Sequence, residues 1–381
     1  MVKVLIIYLF IIINFSFSII LDFSEKSKNI ENYEYLSFFP SNDNVKIIGR
    51  YYQNNNITWL VQSGSALEFY ISGKSSNLDI VGDSNIYLEP DLRPRYSIYI
   101  DDKLFFNSTM NELEFNIDLF KEEKEKSYKI KIMLLSEAIY GGIGIKKINI
   151  YSSNEVEKPI KPVENKKLLI EFIGDSITCG YGIESKDVSE PFKTTTENFS
   201  KSYAYLTSQL LDADYSVIAY SGHGIIFGYS PDISDESALL PPFYTKISRN
   251  KEYPGEWDYD KYKYDVIVVN LGTNDNGYIN SEPEKRSNEF IQEYANFLSL
   301  VREKNPDSYI LCTVGTMIGV KLVYPLIEKA IKLIGDNKIY CFESPKQEKD
   351  DGYGSNYHPS EITHWKLSKL VYENIINLLN L

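Results

Sequence analysis

The sequence predicts an α/β protein in two parts: an all-β domain of sandwich or jelly-roll type, then a parallel sheet covered by helices on both faces. Three observations carry this. From about residue 47 to 150, short segments alternate apolar and polar residues with period two, as in "YSIYI" and "YKIKIML". From residue 168 onward, strand-like apolar runs alternate with helical patterns. Between them lies "NEVEKPIKPVENKK", residues 154–167, charged and proline-bearing, with few core residues.

The elements follow in chain order. Lys3 precedes an apolar run and then a polar stretch from about Asp22, the order of a secretory signal peptide spanning residues 1–20. Val4 to Leu21 is nearly long enough to be a membrane anchor instead, and Ser16 and Ser18 favour cleavage. Residues 21–153 hold the β-domain, with "ITWLVQ", "ALEFYISG", "LDIVG", "RYSIYID", "LEFNIDLF", "YKIKIMLL" and "KKINIYS" as its strands. After the 154–167 linker, residues 168–381 form the α/β domain. "KLLIEFIG", "YSVIAYSG", "YDVIVVNLG" and "SYILCTVG" are its strands. "KSYAYLTSQLLDA", "RSNEFIQEYANFLSLVREKN", "VYPLIEKAIKLIG" and a terminal helix capped by Ser360 pack on them. Each strand runs out in glycine, and in a parallel sheet the site lies beyond the carboxyl ends of the strands.

Composition narrows the function. The 381 residues carry a formal net charge of −13 with no basic run, which argues against nucleic acid as a partner. The 31 tyrosines and 19 phenylalanines supply apolar faces, many with a polar tip, suited to sugar-binding clefts as well as to strands. Cys179, Cys312 and Cys341 form no CxxC pair, so no zinc site or disulfide framework is indicated, although one disulfide with a cysteine left over is allowed. Sequons begin at Asn56, Asn107 and Asn198.

Four turns carry candidate chemistry. Ser176 follows the first strand of the second domain in "GDSITCGYG", where a hydroxyl at a strand–helix turn has backbone N–H groups near it. "YSGHG", 220–224, offers N–H groups between glycines. In "NLGTNDNG", the Asn274 amide can donate to a developing oxyanion. In "GYGSNYHPS", His358 is the best candidate for the base, with His223 read as shaping the cleft and His364 as structural.

In this order and spacing, "GDSIT", the 221–224 glycine turn, "GTND" and "HP" resemble the four sequence blocks of the SGNH (GDSL-type) hydrolases. "GDSITCGYG", "VIVVNLGTND", "GYGSNYHPS" and the upstream "IGRYYQNNNITWLVQSGSALEFYISG" are similar, more narrowly, to carbohydrate esterase family 2, which carries an N-terminal jelly roll. The resemblance implies an SGNH three-layer fold and a secreted esterase that removes O-acetyl groups from plant cell-wall polysaccharides, acetylated xylan or glucomannan, with no metal or organic cofactor. It implies Ser176 as nucleophile, His358 as base, and an oxyanion hole of the Ser176 and Gly224 N–H groups with the Asn274 side chain. Family members often carry Asp two residues before the histidine; here the residue is Asn356, which suggests a dyad oriented by Asn356 or by a backbone carbonyl, with Asp351 and Glu343 as other third members. Asp175 is read as holding the turn. Tyr357, Tyr181 and Trp257 are candidate sugar platforms. An esterase or lipase acting on another ester, and a secreted carbohydrate-binding protein without catalysis, are the alternatives.

Overall fold

The computed structural model describes residues 33–153, 156–229, 238–317 and 320–381. The signal peptide read at residues 1–20 lies outside them.

The first domain is an antiparallel sheet built from β1 (Tyr33–Phe38), β2 (Lys46–Ile48), β3 (Tyr51–Asn54), β4 (Ile57–Leu60), β5 (Ala66–Gly82), β6 (Arg95–Ile100), β7 (Lys103–Thr109), β8 (Glu114–Leu134), β9 (Ile143–Ser153) and β10 (Ile160–Pro162). The main order is β3-β4-β9-β5-β8-β6-β7, with β1 on β9 and both β2 and β10 on β5. Two pairs of segments that read as separate strands are continuous here. "ALEFYISG" and "LDIVG" belong to β5, and "LEFNIDLF" and "YKIKIMLL" to β8. The polar stretches between them look like turns in sequence, but they pair across β5 and β8 through irregularities at Gly73/Ser75 and Ser76/Asn77. β10 falls within the stretch read as linker.

Period-two burial gives these strands two working faces. Leu67, Phe69, Ile71, Ile130 and Ile132 fill the β-domain core. Ala66, Met133 and Leu135 turn the other way and join a cluster with Phe199, Tyr203 and Tyr215 of the second domain. The two domains therefore share a core. A fully buried ion pair crosses the same junction: Arg50 Nη2 donates to Glu171 Oε1 at 2.8 Å.

The second domain has a five-stranded parallel sheet, β11 (Leu168–Gly174), β12 (Ala213–Ala219), β13 (Val266–Asn270), β14 (Tyr309–Thr313) and β15 (Ile339–Cys341), in the order β12-β11-β13-β14-β15. The helices are α1 (Ser176–Cys179), α2 (Tyr203–Leu210), α3 (Asp275–Ser281), α4 (Pro283–Lys304), α5 (Val320–Ile334) and α6 (Glu361–Leu379). Ile267, Val269 and Ile310 pack on α4 and α5 residues such as Tyr294, Leu298 and Ile327. Val266, Val268 and Leu311 pack on the opposite side with Ala204 of α2 and Leu367 and Val371 of α6. Helices thus cover both faces, which explains the nearly continuous apolar strands.

All three cysteines are free, so the disulfide that the sequence allowed is not formed. Cys179 is fully buried, as a small packing residue would be. Asn198, one of the sequons, is buried; it accepts from the Ser200 N–H and donates to Glu184 Oε1 at 2.8 Å. Among the described residues no helix is long and apolar enough to cross a membrane.

Candidate active site

β11 ends at Gly174, and the chain turns at once into α1. Asp175 caps this one-turn helix, its Oδ1 accepting from the Ile177 N–H at 3.0 Å, which agrees with its reading as a turn holder. Ser176 is the first helical residue, mostly buried but lining a cavity of about 660 Å³ at the carboxyl edge of the sheet.

The 352–358 loop is brought beside this turn by a glycine contact. Gly182 and Gly354 approach so closely that a Cβ on Gly182 would meet Ser355 Oγ at 1.9 Å, and one on Gly354 would meet the Gly182 carbonyl oxygen at 2.5 Å. The result is the central contact of the site, Ser176 Oγ to His358 Nε2 at 2.8 Å. His358 Nδ1 faces the Ser355 carbonyl at 3.2 Å. A carbonyl only accepts, so the proton sits on Nδ1, and Nε2 is left to accept from the serine. Burial lowers the His358 pKa to about 4 against the opposing pull of the Ser355 and Asn356 carbonyls. The imidazole is therefore neutral, as a general base must be.

Asn356 does not orient this ring. It stands in the left-handed region at φ 51°, and its amide donates to Tyr181 Oη at 2.8 Å. The Ser355 carbonyl takes the orienting role, the second of the two options in the sequence. Tyr181 stacks on His358, with ring centroids 4.0 Å apart, so it packs the base in place. Asp351 is spent on Lys366 at 2.7 Å, and Glu343 is exposed; neither lines the cavity.

Three residues with N–H donors, Ser176, Gly222 and Asn274, line the cavity. The Asn274 amide gives one hydrogen to the His223 carbonyl at 2.9 Å; Asp175 Oδ2 lies 3.4 Å away, a weak second partner. The Ser176 and Gly222 N–H groups have no partner among the described residues. Gly222, at φ 77°, lines the cavity. Gly224 does not, and this corrects the sequence assignment. Its N–H is committed to the Ala238 carbonyl at 3.1 Å, and a Cβ there would meet the Phe227 carbonyl oxygen at 1.9 Å. Gly224 is a backbone crossing, and Gly222 holds the open donor.

Two carboxylates that sequence reasoning missed support this turn. Asp275 Oδ1 accepts from the N–H groups of Ile225, Ile226 and Phe227 at 3.0, 2.8 and 3.0 Å, tying the loop to the start of α3. Burial raises its pKa to about 6 despite these donors. Its place directly after Asn274 in "GTND" was the available signal. Glu137, from the β-domain, accepts from the Ser221 N–H at 2.7 Å; a lone acid inside the apolar "LLSEAIY" was its only mark.

The other histidines have structural partners. His223 Nδ1 faces the Ser221 carbonyl at 3.0 Å, and Arg249 Nη1 donates to Nε2 at 2.8 Å. His364 accepts from the Tyr203 N–H at 3.0 Å, and burial pushes its pKa down to about 3. Among the aromatics, Tyr357 lines the cavity and is 59% exposed; Tyr229, absent from the sequence reading, also lines it. Trp257 does not reach the cavity. It is buried, stacks on Tyr262 at 4.4 Å and donates Nε1–H to Tyr264 Oη at 2.9 Å. It precedes β13, which places it at the amino edge of the sheet.

A hydroxyl against a neutral imidazole, with unspent donors around it, can attack an acyl carbon and hold the resulting oxyanion. Residues 172–334 match the GDSL-like Lipase/Acylhydrolase family. Cellulase/esterase CelE of Acetivibrio thermocellus is 30% identical over 350 residues; the alignment covers 89% of this chain, which spans 40% of the length of CelE. An acetylxylan esterase / glucomannan deacetylase of Cellvibrio japonicus is 23% identical, with 86% of this chain and 87% of that protein covered. A family two carbohydrate esterase from Clostridium thermocellum, solved in complex with cellohexaose, superposes with a TM-score of 0.72 at 27% identity, covering 88% of this chain and 99% of that one.

Proposed function

As the chain belongs to carbohydrate esterase family 2 of the SGNH (GDSL-type) hydrolases, we propose that it removes O-acetyl groups from plant cell-wall polysaccharides by a serine acyl-enzyme route. The observation that carries the reading is the 2.8 Å contact between Ser176 Oγ and a neutral His358 at the rim of an open cavity.

In this mechanism Ser176 Oγ attacks the acetyl carbonyl as its proton passes to His358 Nε2. The oxyanion is held by the Ser176 and Gly222 N–H groups and the Asn274 amide. His358 returns the proton to the departing sugar oxygen, leaving acetyl on Ser176. Water, deprotonated by the same ring, then releases acetate and restores the serine. Tyr357 and Tyr229 at the cavity mouth are placed to take a sugar ring against an aromatic face.

Xylan and glucomannan are the substrates that the relatives' names suggest. Acetate release from acetylated xylan and acetylated glucomannan, measured side by side for the parent and Ser176→Ala, tests the proposal. Release that the substitution abolishes supports it. Turnover only of other esters moves the site to a different acyl substrate, and glycan binding without turnover in both proteins makes it a receptor. We also read residues 1–20 as a signal peptide, the protein as secreted, and the antiparallel domain as a jelly roll. Amino-terminal sequencing of the mature protein starting at Met1 would end the secretion reading.

A further inference from the structure

We infer that Glu137 and Glu197 form a buried carboxyl pair that retains one proton, and that this pair positions the Ser221–Gly222 turn of the oxyanion hole; the inference rests on the esterase reading above. Both side chains are fully buried. Glu197 Oε2 accepts from the Glu137 N–H at 2.9 Å, and Glu137 Oε2 accepts from the Ser221 N–H at 2.7 Å. The next residue is Gly222, which lines the cavity and whose N–H has no partner among the described residues. A chain of bonds thus runs from the β-domain to a single oxyanion donor.

The remaining oxygens decide the protonation. Oε1 of Glu137 and Oε1 of Glu197 are both buried without a hydrogen-bond partner among the described residues. The nearby cations, Arg249 by Glu137 and Arg95 by Glu197, pull these carboxyls down by charge but, among the described residues, give their hydrogen bonds elsewhere. Arg95 of β6 gives Nη1 to Glu184 and to the Thr195 and Glu197 carbonyls. Arg249 gives Nη1 to His223. The other titratable neighbours, Tyr140, Tyr181 and Cys179, are themselves raised by burial and by these two carboxyls. Two bare carboxylate charges in such a place are strongly disfavoured, and a proton retained on the pair removes one of them. Consistent with this, burial raises Glu137 to about 7, while burial and the neighbouring Glu137 charge raise Glu197 well above the carboxylate range.

The consequence is an alkaline limit to activity. Losing that proton to solvent leaves two buried charges behind the turn and displaces the Gly222 N–H. Stability follows the same sign. A carboxyl whose folded pKa is raised binds more protons folded than unfolded, so its contribution is present at low pH and fades as pH rises, from about 4.5 through 7 for Glu137 and on to higher pH for Glu197.

Glu197→Gln is the decisive variant, because its amide mimics the protonated partner at every pH. Turnover and thermal unfolding are followed from about pH 5 to about pH 9 for the parent, Glu197→Gln, Glu137→Ala and Glu137→Gln. The parent should lose kcat and Tm toward alkaline pH, and Glu197→Gln should flatten both slopes. Asp175 and Asp275, also raised by burial, contribute equally to both proteins and drop out of this difference. Glu137→Ala should lower kcat roughly tenfold with KM nearly unchanged, less than deletion of an oxyanion donor, and Glu137→Gln, which keeps an acceptor for Ser221, should restore most of it. Superimposable slopes for the parent and Glu197→Gln overturn the pair. Undiminished kcat for folded Glu137→Ala overturns the positioning role. If the parent turns over no ester, the functional reading fails, and the Tm slopes still decide whether the proton is retained.

Discussion

Midway along β11, Glu171 spends both carboxylate oxygens, one on Arg50 at 2.8 Å and one on the Tyr244 hydroxyl at 3.1 Å. Just beyond the end of the same strand, the Ser176 and Gly222 N–H groups are left without partners among the described residues. The two regions use the same materials, buried polar groups at the junction of the domains, to opposite ends. At Arg50 the charge is paired and the guanidinium also reaches the Tyr244 carbonyl and the Tyr259 hydroxyl, with only its Nε lacking a partner among the described residues. At the rim donors are held in place and kept unspent, which is what stabilising a transient charge requires.

The difference can be broken from either side. Asn274→Ala removes a rim donor and should reduce kcat by 10²–10³-fold with little change in Tm, as turnover and thermal unfolding of the same preparation will show. Arg50→Ala should do the reverse. It strands the buried Glu171 charge and should cost about 3–5 kcal/mol in denaturant unfolding, while the folded fraction keeps its kcat. The double variant Arg50→Met/Glu171→Leu should recover most of that loss, since replacing a whole buried pair costs far less than breaking it. The smallest effect sharpens the aromatic assignment. Tyr357→Ala should raise KM for the polysaccharide several-fold, of the order of one lost ring contact, whereas Trp257→Phe should leave KM alone and lower Tm through the lost bond to Tyr264. A KM effect from Trp257 instead would place substrate at the amino edge of the sheet.

The sequence makes some of this plain and hides the rest for physical reasons. The four turns were legible because a glycine, serine, asparagine or histidine at the end of a buried parallel strand has few other uses. Which N–H stays open was not legible. Gly222 and Gly224 read alike in "YSGHG", and only the bond from Gly224 to Ala238, contributed by a distant segment, separates them. Asn356 sits where an orienting acid often stands, but its left-handed backbone sends the amide to Tyr181. Trp257 is close in sequence to "GTND" and far from it in space, because residues before β13 and residues after it lie at opposite edges of the sheet. Glu137 lies 39 positions from the nucleophile and in the other domain, where no spacing rule applies.

The most direct measurement is where the acyl group goes. Acid-quenching the protein during turnover of p-nitrophenyl acetate and mapping it by mass spectrometry should find acetyl on the peptide carrying Ser176, and none in Ser176→Ala. Full turnover with no acetyl at Ser176, or with acetyl on another residue, would contradict the account.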